Sequence, residues 1–322
     1  MRSAGRSAIL LLILGFLAPA ACVESQEADD TQSIDTRLEA ASGLAADGDF
    51  DAAIEQFNQV IGDAPDNGRA RYLLGLALAE KGDTEAAVAP LEEALALNPG
   101  LTDAYLTLGS VYLKQDDRVR AFTSFNEATH TDPNNASAWY NLGVLYFTNG
   151  DFKEAADRLS KAHALRPDDP QIAFRLGMAH FRAGSLSAAT SALEDAVALD
   201  PNNQVAWIDL ASCRTMLGRF DASREAIDRA LVLHPGWSVA FNSRGVLARA
   251  EGHDSEALSH FQEAAAADPS NLRVHLNLGG LYEKMGETQK AISEYEVFLG
   301  AWKGDLTRAE AIRTRIERLK KR

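Results

Sequence analysis

The side chains with a potential for chemistry are few and scattered. Asp47, Asp49 and Asp51 alternate in DGDFDAAIEQFN, which is how a calcium loop opens. Such a loop needs glycine where Ala52 stands and glutamate where Asn58 stands, so no calcium site is expected. The histidines His130, His163, His180, His234, His253, His260 and His275 form neither an HExxH motif nor a Cys/His spacing suited to zinc. His180 stands where its segment calls for a large packing residue, which makes it a core histidine. GxSxG, phosphate-loop and GxGxxG patterns are missing. Asn135-Ala136-Ser137 is a glycosylation sequon that matters only in a eukaryotic secretory pathway. No catalytic residue, metal ligand or cofactor is therefore expected. A net charge of −14 speaks against nucleic acid as a partner.

The two cysteines differ. Cys213 sits in an apolar helical pattern and reads as a small buried hydrophobe. Cys22 follows Arg2, Arg6, an apolar run over 8–18 and then Ala18-Pro19-Ala20-Ala21. The run has 11 residues, too few to span a bilayer as an ordinary helix. The segment resembles a bacterial lipoprotein signal, which implies a signal peptide over 1–21, cleavage before Cys22 and lipid attachment to it. Ala20 and Ala21 suit the small positions of that signal, and Pro19 stands where a leucine-like residue is usual. Ordinary cleavage after Ala20, leaving a soluble exported chain, is the alternative. Val23 rather than aspartate follows the cysteine, so the same resemblance implies anchoring at an outer membrane, facing the periplasm. Residues 22–33 are polar, acidic and aperiodic, which predicts a flexible tether.

The rest of the chain repeats. Pro65, Pro99, Pro133, Pro167, Pro201, Pro235 and Pro269 stand 34 residues apart. Within 136–169, Trp139, Leu142, Gly143, Tyr146 and Phe147 follow helical spacing, and Ala155, Leu159, Ala162 and Leu165 do so again. Gly150 breaks the two runs apart, and Pro167 ends the second. Glycine inside a helix costs about 1 kcal/mol against alanine, so its return at Gly75, Gly109, Gly143, Gly177, Gly245 and Gly279 predicts close helix packing.

On these residues the chain resembles the tetratricopeptide repeat family over 34–303. The resemblance implies an all-α fold: a right-handed α-solenoid of eight helix-turn-helix units. The units are 34–67, 68–101, 102–135, 136–169, 170–203, 204–237, 238–271 and 272–304. An uninterrupted array of them predicts one elongated solenoid. Asp116 stands for glycine at one turn and is expected to adopt the left-handed conformation there. Ala211, Arg214 and Ser223 depart from the pattern together, which predicts loosened packing in the sixth unit. Residues 305–322 form a final capping helix, its stripe being Leu306, Ala309, Ile312, Ile316 and Leu319. Its arginines and lysines lie off that stripe; they either cap alone or also meet an anionic surface.

The resemblance further implies that each unit's first helix lines a concave face through its positions 2, 5, 9 and 12. Those positions predict an apolar, aromatic, protein-binding groove over units two to five. It consists of Tyr72, Leu76, Leu106, Tyr140, Val144, Phe147, Phe174, Met178 and Phe181, bordered by Asn141, Arg175 and Arg182. Inter-unit packing is the competing role for these side chains. Phe174, Met178 and Phe181 are expected on an exposed face, while Leu176, Gly177, Ala189 and Leu193 hold the scaffold. Of the five positions with which some family members clamp a C-terminal carboxylate, only Asn141 and Arg175 match, so no such clamp is expected. The chain looks like the repeat lipoproteins that act as pilotins or as adaptors of cell-wall enzymes. That implies a non-enzymatic scaffold holding a peptide or helix of another protein, with a membrane reached through the lipid anchor. A self-associating structural spacer is the alternative.

Overall fold

The computed structural model describes residues 20–321. The signal segment read over 1–21 falls almost wholly outside these residues, and the side chain of Cys22 lies outside them too. Among the described residues the backbone forms seventeen helices and no strand. None of them is long and apolar enough to cross a membrane. The sequence predicts one uninterrupted array, but the contacts divide the chain into two compact units, one ending at Ser124 and one beginning at Phe125. In a solenoid each repeat touches only its neighbours, so an array divides without any break in its sequence pattern.

The first unit contains α1 (Ala20–Ala46), α2 (Phe50–Asp63), α3 (Gly68–Lys81), α4 (Thr84–Leu97), α5 (Thr102–Lys114) and the start of α6 (Arg118–Thr131). Successive helices pair as hairpins, α1 with α2 and α3 with α4. Their core is Leu38, Ala41, Phe57, Val60 and Leu74, all buried. α1 begins at Ala20, so the backbone over 22–33 is helical where the sequence predicts a coil. The reason is local: no glycine or proline interrupts residues 20–42, and a helix once nucleated extends at little cost.

The second unit contains the rest of α6, then α7 (Ala136–Asn149), α8 (Phe152–Leu165), α9 (Pro170–Arg182), α10 (Leu186–Leu199), α11 (Gln204–Met216) and α12 (Phe220–Leu233). It continues with α13 (Ser238–Glu251), α14 (Asp254–Ala267), α15 (Leu272–Lys284), α16 (Thr288–Ala301) and α17 (Leu306–Lys320). From α7 to α16 the helices again pair as hairpins.

Two devices recur and account for the sequence signals. The first is the close approach inside each hairpin. A Cβ on Gly177 would lie 2.6 Å from Leu193 Cγ, so only glycine lets α9 and α10 meet there. The second is a side-chain lock on the loop prolines. Trp139 Nε1 donates to the Pro133 carbonyl at 2.8 Å, and Trp207 Nε1 to the Pro201 carbonyl at 2.9 Å. Arg71 Nε does the same to Pro65 at 3.1 Å, and His275 Nε2 lies 2.9 Å from the Pro269 oxygen. Each of these carbonyls follows a helix end, where backbone acceptors lack intrahelical donors. A long side chain at the fourth position of the next helix supplies one.

Departures from the pattern are compensated. Asp116 takes φ 58°, standing in for the glycines that close other first helices, such as Gly82 and Gly150. The sixth unit is not loosened at Ala211, Arg214 and Ser223. Ser223 Oγ donates to the Ala211 carbonyl at 2.9 Å, and Arg214 reaches the Ala222 carbonyl and Glu194, both at 3.0 Å. Ala211 and Ser223 are buried, because the hydroxyl finds a backbone acceptor inside the hairpin.

At the C-terminal end, α17 buries Ala309, Ile312, Ile316 and Leu319, the last three in a cluster that includes Ile292, Tyr295 and Phe298. Leu306, expected in the stripe, is 74% exposed, since it opens the helix before the packed face begins. Three of the basic residues of α17 are engaged within the unit. Arg315 Nε donates to Glu283 at 2.6 Å, Lys320 Nζ to Glu296 at 3.2 Å, and Arg318 lies 3.6 Å from Glu283.

Candidate protein-binding surface

The residues expected to line a groove lie on first helices of both units. In the first unit, Leu76 and Leu106 line a cavity of about 230 Å³ between α3 and α5, together with Ser110 and Lys114. Tyr72 is half-buried beside them on α3. In the second unit, Tyr140, Asn141, Val144 and Phe147 are half-buried on α7, and Phe174, Arg175, Met178 and Phe181 on α9, while Arg182 is exposed.

The aromatic members are not free platforms. Tyr140 and Phe147 pack against the buried cluster of Leu159 and Leu176, and Phe174 and Phe181 against that of Leu193, Ile208 and Leu210. Phe147 also meets Phe152 edge-on at 5.3 Å, and the Arg182 guanidinium lies 4.3 Å from the Phe152 ring centre. Phe174, Met178 and Phe181, expected on an exposed face, are half-buried, and the two phenylalanines pack against the Leu193 cluster. A first-helix side chain large enough to reach the neighbouring hairpin packs into the seam between them. The scaffold role of Leu176, Gly177, Ala189 and Leu193 agrees with their burial.

A larger opening lies where the sequence drew no attention. α11, α13 and α15 enclose a cavity of about 620 Å³. Its apolar lining includes Ile208, Trp237, Val239, Val246 and Leu276, with Val205 and Met216 exposed at the surface by 45% and 63%. Its polar lining includes Asp209, Ser212, Asn242, Asn277 and Arg273, and Arg308 of α17 reaches it as well. Asn277 Nδ2 donates to Asn242 Oδ1 at 2.7 Å, which joins α15 to α13 through two amides. Reading positions 2, 5, 9 and 12 onward through units six to eight would have found this face: Val205, Ile208 and Ser212, then Val239, Asn242 and Val246, then Arg273 and Leu276. None of these positions carries an aromatic side chain. Small side chains also line it, among them Ala211, Ser212, Thr215 and Ser243.

The titratable groups here are perturbed by burial. The Asp209 carboxyl is pushed up to about 6, only partly opposed by the positive charge of Arg273. Burial, and then the Asp209 charge, push the Cys213 thiol up to about 11, so this free cysteine is an inert part of the core. Burial also lowers the basicity of His180 on α9. The three aspartates of the calcium-like run have ordinary structural surroundings. Asp49 caps α2 by accepting from Ala52 N at 3.3 Å, Asp51 pairs with Lys81, and Asp47 is exposed.

Asp209 has a consequence for stability. Its carboxyl keeps its proton to about pH 6 in the folded chain, against an ordinary value of 3.8. The folded state therefore holds more protons than the unfolded state between these values, and stability falls as pH rises through them. Well above pH 6 the whole penalty is present, about 3 kcal/mol. Asp209→Asn is expected to raise stability by that amount at pH 7.5 and to leave it nearly unchanged at pH 3.5. Denaturant titrations of both proteins from pH 3.5 to 7.5 measure it, and parallel curves would show that the carboxyl is not desolvated.

Family profiles described as tetratricopeptide repeat match residues 38–102, 106–170 and 146–204, and a second such profile matches 180–241 and 248–315. The chain belongs to the tetratricopeptide repeat family. No curated protein sequence matches it. Among solved structures it is similar to YrrB, described as having an unusual peptide-binding site, at 22% identity and a TM-score of 0.53, over 57% of this chain and 95% of that one. It is also similar to MamA, at 26% identity and a TM-score of 0.50, over 53% of this chain and 94% of the other. PilF of Pseudomonas aeruginosa matches at 21% identity and a TM-score of 0.51, over 68% of this chain and 96% of its own. Tetratricopeptide repeat proteins are generally non-catalytic scaffolds for protein–protein interaction, and this chain has their fold.

Proposed function

We propose that this tetratricopeptide repeat protein is a non-enzymatic adaptor of a bacterial cell envelope. It holds a peptide or helix of a partner protein against its first helices, and a lipid on Cys22 anchors it to the periplasmic face of an outer membrane. One observation carries the binding reading: the cavity of about 620 Å³ on α11, α13 and α15 combines an apolar lining with polar groups able to orient a chain segment. The cavity that Leu76 and Leu106 line in the first unit offers a second, smaller point of contact. The anchor reading rests on the basic, apolar and small-residue order that leads into Cys22.

Photo-crosslinking in membranes tests the adaptor. A photoreactive side chain at Met216, on the cavity, is expected to capture other proteins, and one at Val232, 75% exposed on α12, is not. Adducts of the chain with itself alone would favour a self-associating spacer instead. Equal capture at both positions would remove the cavity from the argument. Cys22→Ala, in the same preparation, should move the protein from membranes to the soluble fraction. Stable anchoring takes more than one acyl chain, and the variant can carry none. Membrane association that persists in this variant after a high-salt wash would rule the anchor out.

A further inference from the structure

The cavity of α11, α13 and α15 contains a carboxylate that the folded chain leaves without a direct partner. Asp209 lines it from the sixth position of α11 and is half-buried. Among the described residues no hydrogen bond or ion pair reaches its carboxylate, and Arg273 acts on it only through space. The hydroxyls that share the cavity are committed elsewhere. Ser212 donates to the Ile208 carbonyl, Ser243 to that of Val239 and Thr215 to that of Ala211, each at 2.9 Å. A desolvated carboxylate with no donor destabilises the protein that carries it, and burial raises its pKa accordingly. Such a group is stabilised when something brings it a donor, above all a positive one.

Resting on the reading of this face as a partner groove, we propose that Asp209 determines specificity there. The occupant is a segment of another protein that inserts a lysine or arginine side chain, flanked by apolar residues, into this cavity. The shape and polarity of the site suit that side chain. A lysine or arginine stem is aliphatic and lies along apolar surface while its head seeks an acceptor, and exposed Val205 and Met216 offer that surface. The net charge of −14 attracts basic segments and speeds their encounter. The charged residues that share the cavity with Asp209 are Arg273 of α15, whose charge acts on its carboxyl, and Arg308 of α17. Both are exposed, and the Arg308 guanidinium already stacks 5.3 Å from the Trp302 ring centre. α12 and α13 bring no charged residue to the cavity, and the Cys213 thiol beside Asp209 on α11 stays neutral. An acidic segment held by Arg273 and Arg308 is the rival, and the test separates the two.

An immobilised array of random octapeptides, probed with the full chain at pH 7.5, reads the preference directly. The retained peptides are expected to be enriched in lysine or arginine beside leucine, isoleucine or phenylalanine. Asp209→Asn should retain those peptides at least tenfold less, with a melting temperature equal to the parent's or higher, and Asp209→Glu should keep part of the signal. Lowering the pH to 5 should weaken the parent's basic set and leave the Asp209→Asn pattern unchanged. A retained set rich in aspartate or glutamate and lost in Arg273→Gln would overturn the proposal in favour of the acidic rival. Apolar peptides retained without a basic residue, or equally by Asp209→Asn, would overturn it while the groove reading stands. An array that retains nothing would overturn both.

Discussion

Ending the chain at Gly304 is expected to unfold its last repeat locally and to cause aggregation. The loss removes Ile312, Ile316 and Leu319, which α17 buries against Ile292, Tyr295 and Phe298. Burying each such aliphatic side chain contributes about 1.5–3 kcal/mol. Removal also takes Arg315 and Arg318 away from Glu283, a side chain otherwise shielded between α15 and the cap. Repeats couple to nearest neighbours, so the damage should be greatest in α15 and α16 and fade toward α7. Amide hydrogen exchange resolved by helix measures that gradient. Protection in α15 and α16 equal to that of the full chain would show that α17 caps nothing.

Leu193→Ala is expected to cost about 2–5 kcal/mol, because the side chain is buried and its loss leaves a cavity between α9 and α10. Phe174→Ala and Phe181→Ala should each cost less, about 1–2 kcal/mol, since both rings are half-buried at the edge of the same cluster. They are not silent, as rings on an open face would be. Gly177 sharpens the test. Its missing Cβ would meet Leu193 Cγ at 2.6 Å, so Gly177→Ala should destabilise the parent but do far less harm beside Ala at 193. Urea unfolding of the two single variants and the double variant closes the cycle. Additive losses would mean that the two helices do not depend on this contact.

The repeat was legible because its signals are local. Gly82, Gly150 and Asp116 each answer to the left-handed turn that ends a first helix. Trp139 and Trp207 recur at the place where a side-chain N–H can reach the loop proline carbonyl. Ala309, Ile312 and Ile316 mark the buried face of α17 by spacing alone. The candidate surface was only partly legible. Positions 2, 5, 9 and 12 identify which side of a first helix faces the cavities, as Leu76, Leu106, Ile208 and Leu276 show. They do not say whether a side chain there is free. Phe147 and Phe174 look like binding rings in sequence, yet they pack on the neighbouring hairpin.

The sequence by itself determined the hairpin units and their turns. Both follow from spacing and backbone preference within a few residues, and such preferences act before the chain folds. The face each first helix turns inward was implied by the family resemblance. Only the tertiary structure decided that an opening of about 620 Å³ lies on α11, α13 and α15, that Asp209 is desolvated within it, and that the expected aromatic strip is partly core. These depend on the volumes of side chains brought together from helices about 34 residues apart, one repeat length. Packing decides them, because a cavity is what remains after neighbouring hairpins have filled all the space they can reach.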